Sequence, residues 1–181
     1  MMIRSATSTD LPGILGIYNE AMLNTTATYE YEPHTLEMRK AWFDEHVRDN
    51  YPVFVAQNGD GRIVGWSCLS KFRPRTGYRF TGEDSIYVAA DQRGRGIGKS
   101  LLQPVIQSAR DLGLHAVIAG IDAGGRASIR LHAHFGFVQV AHLKEAGWKF
   151  GRWLDMIYME LLLNGASHAP SGSTVTHSGE I

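Results

Sequence analysis

Cysteine is almost missing from this 181-residue chain: Cys68 is the single one. One thiol excludes an intrachain disulfide framework, and with it the class of small scaffolds held by such bridges. An excess of charge of either sign is missing too. Lys and Arg number 18, Asp and Glu number 18, and the formal net charge is zero. Without a basic excess there is no general electrostatic footprint for nucleic acid. No apolar run approaches the length of a membrane span, and the N-terminus does not read as a secretory signal. The eight His residues show no convincing ligand spacing, so no metal is expected. Cys68 lies in an apolar run and reads as a buried, inert thiol. A cytoplasmic protein that binds neither membrane nor nucleic acid fits these absences. The length suits one domain with a substantial core.

The pattern of what is present predicts the elements. Ile3 to Ala6 reads as a first strand. Leu11, Ile14, Leu15, Tyr18 and Met22 recur at helical spacing and predict a helix over 11–23, with Asp10 as its N-cap and Pro12 in the first turn. Asn24 to Pro33 reads as a loop. Thr35 is placed to cap a second helix to about Arg48, with Leu36, Phe43 and Val47 on one face. Residues 52–57 and 63–70 predict a hairpin around Asn58-Gly59-Asp60-Gly61. Residues 73–82 read as a loop or hairpin end, and 85–90 as a central strand. A third helix containing Pro104, a strand over 115–121 and a short helix over 127–134 follow. A strand starting at Gly136 and a long one over 153–163 close the order. Together these predict one α/β domain over 1–164, a mixed and mostly antiparallel sheet flanked by helices. Residues 165–181 are Gly, Ser, Thr, His and Ala in the main and predict a disordered tail.

Between the central strand and the third helix stands Arg93-Gly94-Arg95-Gly96-Ile97-Gly98-Lys99-Ser100. A strand, a glycine-rich turn and a helix N-terminus form an anion cradle, because free N–H groups and the helix dipole both favour negative charge. A nucleotide P-loop needs four residues between its first glycine and the Gly-Lys-Ser ending, and Gly94 and Gly98 bracket three. A dinucleotide fingerprint needs Gly-x-Gly-x-x-Gly, and the spacing here is Gly94-x-Gly96-x-Gly98. The pattern Arg-x-x-Gly-x-Gly fits, as Arg93-x-x-Gly96-x-Gly98.

That loop resembles the acetyl-CoA pyrophosphate loop of the GNAT acyltransferase superfamily. Phe72-Arg73-Pro74-Arg75-x-x-Tyr78 and Glu83-Asp84-Ser85-Ile86-Tyr87-Val88 precede it. Ala127-Ser128-Ile129-Arg130-Leu131-His132-x-x-Phe135-Gly136-Phe137 and Gly147-Trp148-Lys149-Phe150-Gly151-Arg152-Trp153-Leu154-Asp155 follow it. In this order, over about 3–163, the motifs resemble the phosphinothricin and methionine sulfoximine N-acetyltransferase branch.

The resemblance implies acetyl-CoA as cofactor and a small-molecule amine as acceptor. It implies that Gly94, Arg95, Gly96, Ile97, Gly98 and Lys99 cradle the pyrophosphate, with Arg93 or Lys99 adding charge. It implies that Ile86, Tyr87 and Val88 pair with the pantetheine arm, the Val88 N–H meeting the thioester oxygen. Glu83 is the implied base, working through water on an amine of pKa about 7.7–8.0. His132 stands where many relatives carry a tyrosine acid facing the CoA sulfur. Gly125 replaces an Asn that touches the pantetheine in many relatives, and Ser128 could substitute for it.

Arg73 and Arg75, flanked by Phe72, Tyr78 and Phe80, read as a carboxylate clamp, against the alternative of a solvated basic loop. Thr28 and Tyr29 are candidates for the pocket's other wall. Lys149, Phe150, Arg152 and Trp153 resemble family residues near a homodimer contact and the substrate entrance, although Trp153 fits a core position equally well. The implied reaction is acetylation of the α-amino group of phosphinothricin, methionine sulfoximine or methionine sulfone, a detoxification of glutamine-synthetase inhibitors. Two alternatives stand beside it: an acetyltransferase for peptide N-termini or polyamines, and a non-catalytic acyl-CoA sensor. The two arginines argue against a polyamine pocket, and Glu83 with His132 argues against the sensor.

Overall fold

The computed structural model describes residues 1–163. Met2–Ser5 forms β1, and Leu11–Asn24 and Leu36–Arg48 form α1 and α2. Val53–Gln57 (β2) and Ile63–Lys71 (β3) fold back on each other as the hairpin that the Asn-Gly-Asp-Gly turn demands, with Gly61 at φ 89°. Thr81–Val88 is β4, Ile97–Asp111 is α3, Ala116–Asp122 is β5 and Arg126–His134 is α4. Val138–Lys149 (β6) and Arg152–Leu162 (β7) close the chain as a second hairpin.

Seven strands share one sheet in the order β1-β2-β3-β4-β5-β7-β6, and β4–β5 is its parallel pair. Strand alternation sends apolar side chains to both faces. On one face Leu102, Val105 and Ala109 of α3 pack on Leu69, Val117 and Met159. On the other, Ile14, Tyr18 and Met22 of α1 and Phe43 of α2 pack on Val53, Val55 and Trp66. No helix among the described residues is long and apolar enough to cross a membrane.

The feature that positions the site is a failure of pairing. β4 and β5 are in register from Thr81↔Ala116 to Glu83↔Ile118 and no further. β4 then runs on to Val88 while β5 follows β7 to Asp122, so a notch opens in mid-sheet.

Several elements differ from the sequence reading. β4 starts at Thr81, inside the stretch read as loop, because ladders to β3 and β5 draw the polar Thr-Gly-Glu-Asp run into the sheet. α3 starts at Ile97, so Gly98 and Lys99 belong to its first turn. Asp10 makes no side-chain cap to α1; it binds Arg4 at 2.7 Å and the Thr7 N–H at 2.8 Å. Thr35 does cap α2, accepting from the Met38 N–H at 3.2 Å. The buried face of α2 carries Arg39, Phe43 and His46, while Leu36 and Val47 are exposed. Trp153 is not core: it is exposed and packs edge-on against Trp148. Cys68 is buried, and burial pushes its thiol up to about 12. The tail expected over 165–181 lies outside the described residues.

Candidate active site

The pleat of β4 divides the site between the two faces of the sheet. Ile86 and Val88 pack towards Ile97 and Leu101 of α3. Tyr87 turns the other way, stacked on Trp66 and edge-on to Tyr18 of α1. Asp84 shares the α3/α4 face and Glu83 shares the α1 face, by the same alternation.

The glycine loop arrives on the α3 face. Gly94 and Gly96 take φ of 78° and 82°, the left-handed region that glycine enters without strain. No atom stands within 4 Å of where their Cβ would lie, so the loop is open above both. No backbone carbonyl among the described residues accepts from the N–H groups of Gly94, Arg95, Gly96, Ile97 or Gly98, whereas the Lys99 N–H binds the Gly96 carbonyl at 3.0 Å. A run of free N–H groups at a helix N-terminus fits a pyrophosphate.

Arg93 is engaged elsewhere. Its Nε donates to the Val88 carbonyl at 3.1 Å and its Nη2 pairs with Glu20 at 3.2 Å, tying the loop to β4 and α1. Arg95 and Lys99 remain as exposed cations beside the cradle. At Gly125 a Cβ would stand 2.9 Å from the Asp122 carbonyl, which also accepts the Gly125 N–H at 2.7 Å. The turn is too tight there for an asparagine without a shift, so more than a side-chain hydrogen bond separates this chain from the Asn-bearing pattern.

Glu83 is half-buried beside the notch. Burial raises its pKa above the ordinary carboxylate value, the Arg73 charge opposes that rise, and Asp84 adds to it. Arg73 is exposed, its guanidinium 4.9 Å from the Phe72 ring centre. Arg75 is exposed just before a single 3-10 turn over Thr76–Tyr78 and has no ion pair among the described residues.

Across the notch from Glu83, β5 shows Gly120, the exposed residue in an otherwise buried strand. Two residues on, Asp122 accepts from Thr26 Oγ1 at 2.9 Å and from the Tyr29 hydroxyl at 3.1 Å. Tyr29 packs against Gly147, where a Cβ would overlap its ring. Lys149, itself buried, donates to the Met22 and Thr28 carbonyls at 2.7 and 2.6 Å. The loop over 24–33, with Tyr29 and Thr28, is thus strapped onto β5 and β6. Asp122 went unread as a site-builder, being a lone acid that ends an apolar strand; Lys149 was expected near the substrate entrance, but its partners, more than a hundred residues away, were not legible.

His132 is 3% exposed, on α4. Its Nδ1 donates to the Ser128 carbonyl at 2.8 Å, and its Nε2 lies 3.0 Å from Asp84 Oδ2. A carbonyl only accepts, so Nδ1 carries a proton, and the facing Asp84 carboxyl favours a second proton on Nε2 and with it the charged ring. Burial opposes that charge, but the Asp84 hydrogen bond and charge, with the Ser128 carbonyl, raise the pKa above the ordinary imidazole value. The resemblance implied an acid facing the CoA sulfur; here both nitrogens are engaged within the protein. Ser128 Oγ sits 3.3 Å from the same Nδ1. Asp84, which the sequence reading passed over, is buried with Oδ1 unpartnered. A cavity of about 530 Å³ lined by Ile3, Phe54 and Pro104 includes none of these groups.

Comparison with known proteins agrees with the geometry. Residues 3–158 match the family model described as an acetyltransferase (GNAT) domain. The chain is 46% identical over 168 residues to the L-methionine sulfoximine/L-methionine sulfone acetyltransferase of Pseudomonas aeruginosa, covering 93% of this chain and 98% of that one. The crystal structure of a phosphinothricin acetyltransferase from Sinorhizobium meliloti in complex with acetyl-CoA superposes with a TM-score of 0.90 at 38% identity, covering 96% and 95% of the two chains. A structure named as a ribosomal-protein-alanine N-acetyltransferase from Brucella melitensis gives a TM-score of 0.88 at 45% identity, covering 90% and 100%. Cradle, notch and relatives converge: the chain belongs to the GNAT superfamily and is an acetyl-CoA-dependent N-acetyltransferase.

Proposed function

We propose that this enzyme acetylates the α-amino group of amino-acid analogues of the methionine sulfoximine, methionine sulfone and phosphinothricin kind. The observation that carries the reading is Glu83: a carboxylate of raised pKa at the open notch, within the field of the exposed Arg73. The names of the relatives support the substrate class.

In this reading Arg73 and Arg75 hold the acceptor's carboxylate, which leaves the amine at Glu83. Glu83 accepts the ammonium proton, directly or through water, and a raised pKa suits that task near neutral pH. The backbone N–H groups of 94–98, with Arg95 and Lys99, hold the pyrophosphate, and the edge of β4 from Ile86 to Val88 aligns the pantetheine arm. Acetyl-CoA supplies the activated acetyl group. Tyr29 and Thr28 wall the acceptor side. His132 works through Asp84 to fix β4 against α4, a positioning role. Lys149 and Asp122 hold the strap that carries Tyr29.

The exposed apolar row on the terminal hairpin, which includes Val138, Val140, Trp148, Phe150 and Trp153, supports a homodimer formed through that face. Detoxification in the cytoplasm is the biological role that follows.

CoA release, followed with a thiol-reactive dye, tests the reading over methionine sulfone, methionine sulfoximine, phosphinothricin, ordinary amino acids, spermidine and an Ala-terminated peptide. Turnover of the first three, reduced in Arg75→Ala, is the expected result. The Brucella relative's name favours a second reading, acetylation of a protein N-terminal alanine, and turnover of the peptide alone would establish that instead.

A further inference from the structure

β5 is buried along its whole length apart from Gly120. The glycine is not there for its backbone, since its φ lies outside the left-handed region. Crowding does not demand it either. A Cβ at 120 would stand 3.4 Å from Glu83 Oε1, 3.5 Å from Tyr158 Cε1 and 3.8 Å from Met156 Sδ, all ordinary contacts. Glycine in a strand interior weakens the strand and marks places that another group approaches closely. Here the open spot is bounded by the base, a phenol ring edge and a thioether.

The approaching group comes from a definite side. The glycine loop feeds α3, which packs on the face bearing Ile86 and Val88. Glu83 and Gly120 lie on the opposite face, with Tyr158, Gly120's ladder partner on β7. Cofactor and acceptor therefore reach the notch from opposite faces, and Gly120 belongs to the acceptor.

We propose that Gly120 is the specificity-determining floor of the acceptor pocket: the acceptor's side chain crosses it between Tyr158 and Met156 while its amine sits at Glu83. A slot between a ring edge and a flexible, polarisable thioether suits an unbranched tail. Within the proposed acceptors, the slot accordingly selects α-amino acids with unbranched tails. β-Branched acceptors are rejected at the walls of the slot, Tyr158 and Met156. The inference rests on the function proposed above and names the residue that selects within it.

The test uses the full chain, its Gly120→Ala and Met156→Ala variants, and L-α-amino acids with unbranched tails from 2-aminobutyrate to methionine sulfone, plus valine. Gly120→Ala is expected to lower kcat/KM for methionine sulfone roughly tenfold or more relative to 2-aminobutyrate, through KM, the usual scale for one methyl group in a pocket. Its affinity for acetyl-CoA and its melting temperature should not move. Met156→Ala, which widens the slot without touching the floor, should raise the relative rate on valine. Equal loss on every acceptor would place Gly120 on the acetyl side and overturn the proposal, as would no change in either variant. If the wild-type chain acetylates no α-amino acid, the function reading fails first, and that is seen without any variant.

Discussion

Glu83 and Asp84 are neighbours in sequence and opposites in structure. Glu83 faces the α1 side, half-buried at an open notch, its carboxylate without a hydrogen-bond partner among the described residues. Asp84 faces α4, sealed in the core and paired with His132 at 3.0 Å. A one-residue step along a pleat separates a carboxylate free to exchange a proton from one that holds a charge in place. The same division runs through the rest of the site. The α3/α4 face is built for fixity, with backbone N–H groups, a helix terminus and a buried ion pair. In the proposed reading the α1 face serves entry, with exposed arginines, an exposed glycine and a strapped loop. In the proposed function, accessibility, more than residue type, separates the catalytic group from the positioning one.

The comparison is broken most sharply at Glu83. Glu83→Gln should lower kcat/KM about 10²–10⁴-fold, the range for a lost general base, and leave the melting temperature almost unchanged. If activity survives, the open carboxylate is not the base.

The buried partner should respond in stability instead. Asp84→Ala or His132→Ala leaves one charge without its partner and should cost about 3–5 kcal/mol in urea unfolding. Replacing both by Leu should cost less than either single change, since no charge is then stranded. The pair also carries a pH signature. Because the His132 pKa is raised on folding, its stabilisation is complete below the ordinary imidazole pKa of about 6.5 and is lost as pH rises through the higher folded value. Melting temperature against pH, wild type beside His132→Gln, reads this slope, which the variant should lack.

The strap should show a smaller effect. Gly147→Ala drives a methyl into the Tyr29 ring and should cost about 1–3 kcal/mol, with a raised KM for the acceptor and an unchanged affinity for acetyl-CoA.

Arg73→Ala should raise the acceptor's KM, since Arg73 helps hold the carboxylate, and the smallest effect is the pH shift that accompanies it. The Arg73 charge holds the Glu83 pKa down against burial, so Arg73→Ala should move the acid limb of the pH–rate profile to higher pH. Screening at this exposed position limits the move to less than about one unit. A shift to lower pH would show that Arg73 does not face Glu83.

Much of the fold was legible because its signals are local. The Asn-Gly-Asp-Gly turn, the helical spacing from Leu11 to Met22, the Thr35 cap and the glycine loop each act within a few residues, and each stands where it was read. The polar start of β4 was not legible, because Thr81 and Gly82 become strand only through ladders to β3 and β5. The face of α2 was misjudged for a related reason. Arg39 and His46 look like surface residues until Tyr18, Trp42 and Ser70 surround them.

The sequence by itself determined the family, the cofactor and the candidate residues, since a phosphate cradle and a motif order are written along the chain. The tertiary structure alone decided what those residues face. It enclosed His132, engaged Arg93 with α1, opened Gly120 and set Lys149 and Asp122 to hold the strap. Exposure and partnership are properties of packing between distant segments, and no local pattern encodes them.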